Sequence, residues 1–490
     1  MTRTKHAQTC DPVLLSVLQK ILPDDAIVTT EEERRVYECD GLPMFRQLPM
    51  LVVLPDTTGQ VREILQLCHA HKVPVVARGA GTGLSAGATP LADGIVLSLA
   101  RLNAILDLDP QACTARVQPG VRNLAISEAA DPHGLYYAPD PSSQIACTIG
   151  GNVAENSGGV HCLKYGLTVH NILEIHLLLM DGTLLILGSS ALDQAGYDLM
   201  ALTIGSEGLL GVVVEVVVKL LPKPVLAKVA MAAFDDVSKA ANAVGEIIAA
   251  GLIPAGLEMM DGPSIRAVED YVRVGYPVEA AAMLLCEMDG NQVEVESQMV
   301  RIEDLLKGCG ATSVKIAADE AERAKFWLGR KSAFPAAGRI SPDYYCMDGT
   351  VPRRKLAQVL EGTAQLAEEF QLTVTNIFHA GDGNLHPLIL FDANKPGELK
   401  RAEDLGAQIL LLCIEVGGTI TGEHGVGLEK IQQMCVQFNT EELEQMHRVK
   451  EAFDPLQLLN PGKAVPRPRH CAEYRLASGM KSGEDPHAKD

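Results

Sequence analysis

Short apolar runs separated by amphipathic stretches organise the first part of the chain. Residues 51–54 predict a strand, and residues 73–77 and 94–99 predict two more. Between the first two strands, apolar side chains recur at helical spacing behind Thr58, which can cap a helix: Val61, Ile64, Leu65 and Cys68. This order of strand, helix, strand and strand is typical of an α+β or α/β fold.

The pattern changes after a proline-rich boundary at residues 222–224. Four strands are predicted there, with helical patterns between them, at residues 227–234, 257–260, 282–286 and 313–316. This alternation is typical of a small antiparallel sheet that is backed by helices.

Composition sets the broad class of the protein. The chain has 490 residues, 47% of them hydrophobic, which is enough for two or more domains. Its net charge of −20 argues against binding to nucleic acid or to an anionic membrane surface. The twelve cysteines include no Cys-x-x-Cys pair, so reduced thiols are expected, with neither a disulfide framework nor an iron–sulfur site. No apolar run could span a bilayer, the N-terminal run covers only residues 13–18, and a cytoplasmic protein is expected.

A glycine-rich loop, Arg78–Gly87, follows the second predicted strand. Four of its residues are glycines, which allow positive φ and let the backbone approach a ligand without interference from a Cβ atom. Successive backbone N–H groups in such a turn form a concave nest for phosphate oxygens, to which Thr82 and Ser85 could add hydroxyl groups and Arg78 a charge. The loop is therefore predicted to hold a diphosphate.

The same loop matches the dinucleotide-binding pattern of a Rossmann unit through Gly81, Gly83 and Ala86. That pattern needs a helix that opens inside the motif and an acidic residue about twenty positions later. Residues 87–94 are instead typical of a turn, so the Rossmann interpretation is the weaker one.

Two histidines lie on either side of the turn in a predicted hairpin, which is formed by residues 373–379 and 386–391. If Asp382-Gly383 is a two-residue turn, which is a favoured hairpin type, His379 faces His386. Directly opposed residues have Cβ atoms roughly 4.5–5.5 Å apart, close enough for two imidazoles to share one divalent ion. With a carboxylate, they would suit a catalytic Zn²⁺, Mn²⁺ or Fe²⁺.

A carboxylate is available in a later glycine-rich loop that contains Glu423 and His424. Neighbours in an extended segment point to opposite faces, so only one of the two can bind the metal comfortably. If Glu423 binds it, His424 can act as a general base, and the ordinary pKa of histidine suits neutral pH. Arg330 could hold a substrate carboxylate by two parallel hydrogen bonds.

With these motifs and a long polar, glycine-rich stretch at residues 138–159, the sequence resembles the vanillyl-alcohol-oxidase/PCMH-type flavoproteins. That family includes the flavin subunits of bacterial glycolate oxidases, D-lactate dehydrogenases and D-2-hydroxyglutarate dehydrogenases. The resemblance extends from Tyr37 to Lys463 and is most specific at the glycine loop, at residues 137–159 and 330–353, and at the two candidate metal-ligand motifs.

The resemblance implies an α+β fold with a PCMH-type FAD-binding domain in two sublobes, a ferredoxin-like cap domain and a C-terminal helical return to the flavin. The implied segments are a helical lead-in at residues 1–45, the FAD-binding domain at 46–224, the cap at 225–416, the C-terminal return at 417–466 and a polar, disordered tail at 467–490.

The resemblance also assigns site residues. Those implied to hold the FAD pyrophosphate are Gly79, Ala80, Gly81, Thr82, Gly83 and Leu84, with Arg78 and Ser85 in the same loop. Those implied to line the rest of the FAD site are Pro119, Gly120, Asp140, Pro141, Ser142, Gly150, Gly151, Asn152, Gly158, Gly159, Glu207 and Val212, with Asn460 near the isoalloxazine. The implied metal ligands are His379, His386 and Glu423, the base is His424, and the carboxylate-binding arginine is Arg330. Because the glycine loop has no histidine, FAD is expected to be bound non-covalently.

Two positions depart from relatives that act on longer dicarboxylates, which carry a lysine close to the position of Cys346 and an asparagine at the position of Leu388. A two- or three-carbon 2-hydroxy acid such as glycolate or D-lactate therefore fits better than 2-hydroxyglutarate. The expected reaction is hydride transfer to the flavin while His424 takes the hydroxyl proton. Electrons are expected to pass to a second flavin-type subunit and an iron–sulfur subunit, which would also be the only connection to a membrane.

Other functions compete with this one. A D-lactate dehydrogenase would belong to the same class. A non-catalytic flavin-binding subunit could keep the Arg78–Gly87 loop without the histidine hairpin, and a flavin-free metallohydrolase would leave that loop unexplained.

Overall fold

The structure is a computed structural model, and it describes residues 10–191, 195–467 and 471. Within these residues the chain divides into two compact units. The first unit takes the residues up to 158, residues 167–222 and the residues from 423 onward, and the second takes residues 159–166 and 223–422. Except for Cys471, the predicted tail beyond residue 467 lies outside the described residues.

The strands are β1 Ile27–Val28, β2 Leu51–Val53, β3 Val75–Arg78, β4 Ile95–Ser98, β5 Ile105–Asp109, β6 Thr114–Val117, β7 Leu135–Tyr136, β8 Ile172–Leu178, β9 Leu184–Gly188, β10 Val212–Lys219, β11 Leu221–Pro222, β12 Leu226–Phe234, β13 Gly256–Asp261, β14 Ala282–Gly290, β15 Ser313–Ile316, β16 Asp343–Cys346, β17 Thr373–Phe378 and β18 Pro387–Phe391. The helices are α1 Pro12–Ile21, α2 Glu31–Arg34, α3 Thr58–His71, α4 Asn123–Ala130, α5 Ile149–Glu155, α6 Cys162–Tyr165, α7 Leu199–Thr203, α8 Val237–Ala249, α9 Gly262–Val272, α10 Gln292–Gly308, α11 Glu320–Lys331, α12 Ala333–Ala337, α13 Leu356–Phe370, α14 Glu398–Glu415, α15 Ile431–Gln437 and α16 Thr440–Phe453.

The first unit opens with a four-stranded sheet in the order β1-β2-β4-β3, whose last three strands are parallel. The predicted strand, helix, strand, strand order is confirmed, and the four predicted apolar residues of α3 are all buried. The predicted cap at Thr58 is wrong by one residue, because the Thr57 hydroxyl accepts the N–H of Gln60 while the Gln60 side chain accepts the N–H of Thr57.

A five-stranded antiparallel sheet in the order β5-β6-β10-β8-β9 forms the second part of this unit. Its β8–β9 hairpin turns at Asp181-Gly182. The C-terminal segment returns to β3, where the N–H of Val75 donates to the Leu458 carbonyl and the N–H of Asn460 donates to the Val75 carbonyl, both at 2.8 Å. Residues near the chain end thus lie beside the strand that leads into the glycine loop.

The second unit is built on a seven-stranded sheet in the order β15-β12-β14-β13-β17-β18-β16, with antiparallel pairing throughout. The four predicted strands are all present, but the sheet is larger than predicted because the β17–β18 hairpin and β16 join it. Helices α8, α10 and α13 contribute to one hydrophobic core, and α9, α11 and α12 to another. The α+β class is confirmed.

Cys435 and Cys471 form a disulfide, with their Cα atoms 5.1 Å apart, while ten other cysteines are not disulfide-bonded. The expectation of reduced thiols throughout is therefore wrong for this pair. Its members are separated by 36 residues, so no local spacing marks them in the sequence.

No helix among the described residues combines the length and the apolarity that crossing a bilayer requires.

Candidate active site

The glycine loop after β3 carries a row of backbone N–H groups that have no protein acceptor. Among the residues that the structure describes, none accepts a hydrogen bond from the backbone N–H groups of Gly79–Ser85. Gly81 has φ +70°, a left-handed conformation found in anion-binding nests. The buried hydroxyl of Ser85 also lacks a partner. These orphaned donors fit a phosphate group.

Glycine is needed around this loop because other atoms approach too closely for a side chain. A Cβ atom at Gly79 would stand 2.2 Å from Thr148 Oγ1, which is buried and has no hydrogen-bond partner. A Cβ atom at Gly120 would stand 2.5 Å from a backbone carbonyl oxygen, and one at Gly150 would stand 2.6 Å from the Pro119 Cβ. Segments that are separated in sequence therefore come close together at these glycines.

These segments line a cavity of about 500 Å³ in the first unit. Its lining includes Ala80, Gly120, Val121, Arg122, Ala146 and Thr148. Arg122 was missed by sequence reasoning, although it directly follows the Pro119-Gly120-Val121 turn and precedes α4. It adds a positive charge to the lining of this cavity.

Arg78, which the sequence predicts to add charge to the loop, also makes contacts outside the loop. It is buried, its Nη1 donates to the Cys39 carbonyl at 2.7 Å, and its guanidinium lies 5.7 Å from the centre of the Tyr37 ring. It therefore braces the glycine loop against residues 37–39.

The other predicted FAD residues lie on separate elements. Residues 140–142 form part of the loop before α5, whose buried Asn152 accepts a hydrogen bond from the Asn123 side chain at 3.0 Å. Val212 begins β10 inside the hydrophobic core. Gly158 leaves room for a carboxylate, since a Cβ atom there would stand 2.6 Å from Glu423 Oε2. Gly159 belongs to the second unit.

A buried polar cluster lies behind the glycine loop. Glu207 accepts the N–H groups of Val426 and Gly427, both at 2.7 Å, and Asn460 Nδ2 donates to the backbone carbonyls of Gly87 and Glu207. The Lys463 ammonium donates to the Gly87 carbonyl at 2.7 Å and to Asn460 Oδ1 at 2.7 Å. Burial lowers the pKa of Lys463 to about 7. Lys463 was not predicted as a site residue, and the available signal was its position three residues after the predicted site residue Asn460.

Glu155 adds a second carboxyl group to this cluster. A Cβ atom at Gly425 would stand 2.3 Å from Glu155 Oε2 and 3.1 Å from Glu207 Oε1, so the two carboxyl groups lie side by side. Glu155 Oε2 is buried and has no hydrogen-bond partner. Burial, and then the charge of Glu207, raise the pKa of Glu155 well above its ordinary value, while Lys430 and Lys463 lower it less.

Glu155→Gln should therefore stabilise the flavin-free protein in a pH-dependent way. The folded state keeps a proton on Glu155 that the unfolded state loses above pH about 4.5, so the wild type loses stability as pH rises. The melting temperature of the variant should exceed that of the wild type by a few degrees at pH 8, and the gap should shrink toward pH 4.5. Thermal melts at several pH values measure it, with Glu128→Gln at an exposed glutamate as control. A gap that widens toward acid pH would contradict the prediction.

The β17–β18 hairpin has a longer turn than predicted. Asn376 pairs with Pro387 and His379 pairs with Asn384, so residues 380–383 form a four-residue turn. Gly383 adopts φ +78° and donates its N–H to the His379 carbonyl, which closes the longer turn. The predicted pairing of His379 with His386 is therefore wrong by two residues.

The shift of two residues keeps His379 and His386 on one face of the hairpin, because side chains alternate with a period of two. Their ring centres lie 5.2 Å apart and the ring planes are nearly perpendicular, at 87°. Both side chains are buried. The hairpin therefore brings the two imidazoles together, as expected, by a different register.

Glu258 was missed by sequence reasoning. Its Oε1 lies 2.8 Å from His379 Nδ1, and its Oε2 lies 2.8 Å from both Nε and Nη2 of Arg330. All three side chains are buried. Burial raises the pKa of Glu258, but its two partners outweigh that effect and bring the pKa below its ordinary value. A glutamate inside an apolar strand was the available signal, since glutamates are seldom fully buried unless paired.

Hydrogen bonds fix which nitrogen of each histidine carries the proton. The Glu258 carboxylate and the Met347 carbonyl can only accept, so His379 Nδ1 and His386 Nδ1 are the protonated atoms, the second at 3.2 Å from its acceptor. An imidazole in this tautomer has its lone pair on Nε2, the form that binds divalent ions. The two histidines therefore fit a metal site.

The second unit ends beside this hairpin. Asp348 accepts hydrogen bonds from the Asn384 side chain at 2.9 Å, from the Thr421 hydroxyl at 2.6 Å and from the Gly422 N–H at 3.0 Å. A Cβ atom at Gly422 would collide with Asn384, so glycine is needed there. Glu423, the next residue in the chain, belongs to the first unit together with His424, whose Nε2 lies 4.0 Å from Glu423 Oε1.

Comparisons with known families match both halves of the chain. Residues 49–188 match the family described as FAD binding domain, and residues 223–464 match the family described as FAD linked oxidases, C-terminal domain. The chain is 62% identical to glycolate oxidase subunit GlcD of Escherichia coli K12 over 94% of its own length and 92% of the relative's length. It is 42% identical to the protein of that name in Bacillus subtilis, covering 88% and 92%, and 31% identical to a D-lactate dehydrogenase of Anaerostipes hadrus, covering 92% and 97%.

Solved structures share the fold at lower identity. p-Cresol methylhydroxylase with bound substrate superposes with a TM-score of 0.80 at 17% identity, covering 94% of this chain and 98% of the other. Alkyldihydroxyacetonephosphate synthase superposes with a TM-score of 0.74 at 19% identity, covering 94% and 87%. These two likenesses concern the fold alone.

Proposed function

The chain belongs to the FAD-linked oxidases, and we propose that it oxidises glycolate to glyoxylate, with D-lactate as a second substrate. One observation carries the choice of a 2-hydroxy acid: in the second unit, a buried carboxylate joins a buried arginine to His379, whose ring lies 5.2 Å from that of His386, and both imidazoles are in the metal-binding tautomer. Arginine binds carboxylates through paired hydrogen bonds, and the substrate carries its hydroxyl group on the adjacent carbon. The 62% identity to a glycolate oxidase subunit supports glycolate in particular.

The flavin site is proposed to lie along the glycine loop. The orphaned N–H groups of Gly79–Ser85 would hold the diphosphate, and the cavity beside Gly120 and Thr148 would receive the part of FAD next to it. Lys463 and Asn460, held on the Gly87 carbonyl, fix the loop from behind. FAD, when bound, supplies the acceptor for the hydride that leaves C2 of the substrate.

The chain's own residues would bind and deprotonate the substrate. Arg330 binds its carboxylate, and His424 takes the proton of its C2 hydroxyl. His379, His386 and Glu423 are proposed to hold a divalent ion, Zn²⁺, Mn²⁺ or Fe²⁺, which when bound would polarise that hydroxyl. The tautomers of the two histidines support this assignment, and Glu423 follows directly on Gly422, which lies against the hairpin.

Substrate length is proposed to be limited by two buried residues. Cys346 in β16 pairs with Leu388 in β18, and both side chains lie in a hydrophobic core. Neither can form a charge-assisted hydrogen bond to a second carboxylate. The value of kcat/KM for glycolate or D-lactate should therefore exceed that for D-2-hydroxyglutarate by roughly 10–100-fold, the worth of one such bond.

Anaerobic mixing tests the activity and the substrate choice together. Glycolate should bleach the flavin absorbance within the turnover time, D-lactate should do so at a comparable rate, and D-2-hydroxyglutarate should do so far more slowly. Arg330→Met should slow all three, because each loses the contact to its C1 carboxylate. Equal rates for the long and short acids would refute the length limit, and no bleaching by any of them would refute the oxidation itself.

Electron transfer to partner subunits is the proposed continuation. The Escherichia coli and Bacillus subtilis relatives are named subunits. The described residues offer no Cys-x-x-Cys pair. We expect a second flavin-type subunit and an iron–sulfur subunit to take the electrons and to provide any connection to a membrane.

A further inference from the structure

Glu258 contacts both halves of the proposed substrate site, and this inference rests on the proposed function. We propose that Glu258 is a positioning residue that couples the metal-binding imidazole of His379 to the substrate-binding guanidinium of Arg330. One carboxylate oxygen faces each partner, at 2.8 Å in every case. A change in either partner is therefore transmitted to the other through a single rigid group at the middle of β13.

The contact to His379 sets its tautomer and its orientation. An ionised carboxylate accepts the Nδ1 proton, which places the lone pair on Nε2 and strengthens it as a ligand. Removing such a partner from a metal-bound histidine weakens metal binding by roughly 10–100-fold. The partner of His386 is only a neutral carbonyl, that of Met347, at the longer distance of 3.2 Å. The partner of His379 therefore strengthens its imidazole as a metal ligand more than Met347 strengthens that of His386.

The contact to Arg330 selects the edge that a substrate meets. Glu258 Oε2 accepts from both Nε and Nη2, which occupies the side of the guanidinium nearest the chain. A substrate carboxylate would therefore bind end-on, through Nη1 and the second proton of Nη2. The fixed side contact also holds the guanidinium plane still, so less rotamer entropy is lost when the substrate binds.

A second glutamate in the same sheet provides a matched control. Glu287, on the neighbouring strand β14, is also buried and also bridges a histidine and an arginine, His161 at 3.4 Å and Arg323 at 2.7 Å. It also accepts the indole N–H of Trp327 at 2.5 Å, and none of these three partners belongs to the proposed metal or substrate set. Glu287→Gln therefore reports what it costs to neutralise a buried, paired carboxylate in this sheet.

Zinc titration of the metal-stripped holoenzyme tests the proposal. Glu258→Gln should weaken zinc binding by roughly 10–100-fold, and at saturating zinc it should raise KM for glycolate more than it lowers kcat. Glu287→Gln should leave both quantities near wild type. Glu258→Asp keeps the charge but shortens the reach, so its zinc affinity should lie between wild type and Glu258→Gln, which keeps the test decisive if the glutamine variant folds poorly.

Each outcome separates this inference from the proposed function. Wild-type zinc affinity and an unchanged KM in both Glu258 variants would overturn the positioning role while leaving glycolate oxidation in place. Equal losses of zinc affinity in Glu258→Gln and Glu287→Gln would show that the loss comes from disturbed folding around a neutralised buried carboxylate. This result would also overturn the positioning role. A wild-type protein that binds no zinc yet oxidises glycolate overturns the coupling and the metal site, but not the activity.

Discussion

Gly81→Val is expected to yield a colourless protein that cannot be reconstituted with FAD. Gly81 adopts φ +70°, and a Cβ atom there would stand 2.1 Å from Arg78 Nη2. A branched side chain would therefore push away the arginine that braces the loop and would cover the N–H groups proposed to hold the diphosphate. The absorbance ratio of flavin to protein, and titration of the flavin-free variant with FAD, measure the loss.

Gly134→Val separates loss of the ligand from backbone strain. Gly134 lies in the same unit at φ +69°, and a Cβ atom there would meet nothing within 4 Å. Both substitutions carry the same conformational cost, about 1–2 kcal/mol for a left-handed residue. Gly134→Val should stay yellow, and acid precipitation of it or of the wild type should release the flavin into the supernatant. A Gly81→Val protein with full flavin content would contradict the proposal that this loop holds the diphosphate.

Local patterns made much of the first unit predictable. The apolar runs and the helical spacing before the glycine loop describe contacts between near neighbours, and the loop's glycine density reflects a conformation that other residues rarely adopt. Arg78 shows where this reasoning ends. Its charge beside the loop predicts a phosphate contact, but nothing in the sequence indicates that its Nη1 also donates to the Cys39 carbonyl, 39 residues away.

Contacts between residues that are far apart in the sequence could not be predicted from it. Glu258 and Arg330 are separated by 72 residues, and Lys463 and Gly87 by 376. A sequence states that a glutamate lies in an apolar strand, but not which cation compensates its burial. Strand order supplies that information, because β13 lies next to β17 and so brings Glu258 beside His379.

Hairpin register illustrates a prediction that was wrong in detail and still useful. Asp382-Gly383 suits a two-residue turn, but Gly383 instead closes a four-residue turn. The shift of two residues preserves the face of each side chain, whereas a shift of one would have separated the histidines. The prediction that His379 and His386 meet therefore survived an error in their pairing.

Replacing either His379 or His386 with alanine is expected to abolish metal binding and turnover while FAD stays bound. Two imidazoles and one carboxylate are the minimum set of protein ligands for a catalytic ion, so neither single loss can be compensated. The glycine loop belongs to the other unit, so flavin content should not change. Metal analysis should find about one divalent ion per chain in the wild type and in His161→Ala, whose histidine also contacts a buried glutamate, and none in the two hairpin variants.

His424→Ala is expected to behave differently from both, because a general base handles the substrate proton and not the ion. Metal and flavin should be retained, and reduction of the flavin by glycolate should slow by roughly 10²–10⁴, the usual worth of a positioned base. Glu423→Gln should lose the metal, since a neutral amide is a far weaker ligand than a carboxylate. The expectation that the two side chains face opposite ways is wrong, because the chain bends at residues 422–424 and His424 Nε2 lies 4.0 Å from Glu423 Oε1, so metal content has to be measured in both variants. If His424→Ala loses the metal and Glu423→Gln keeps it, the ligand and the base are exchanged.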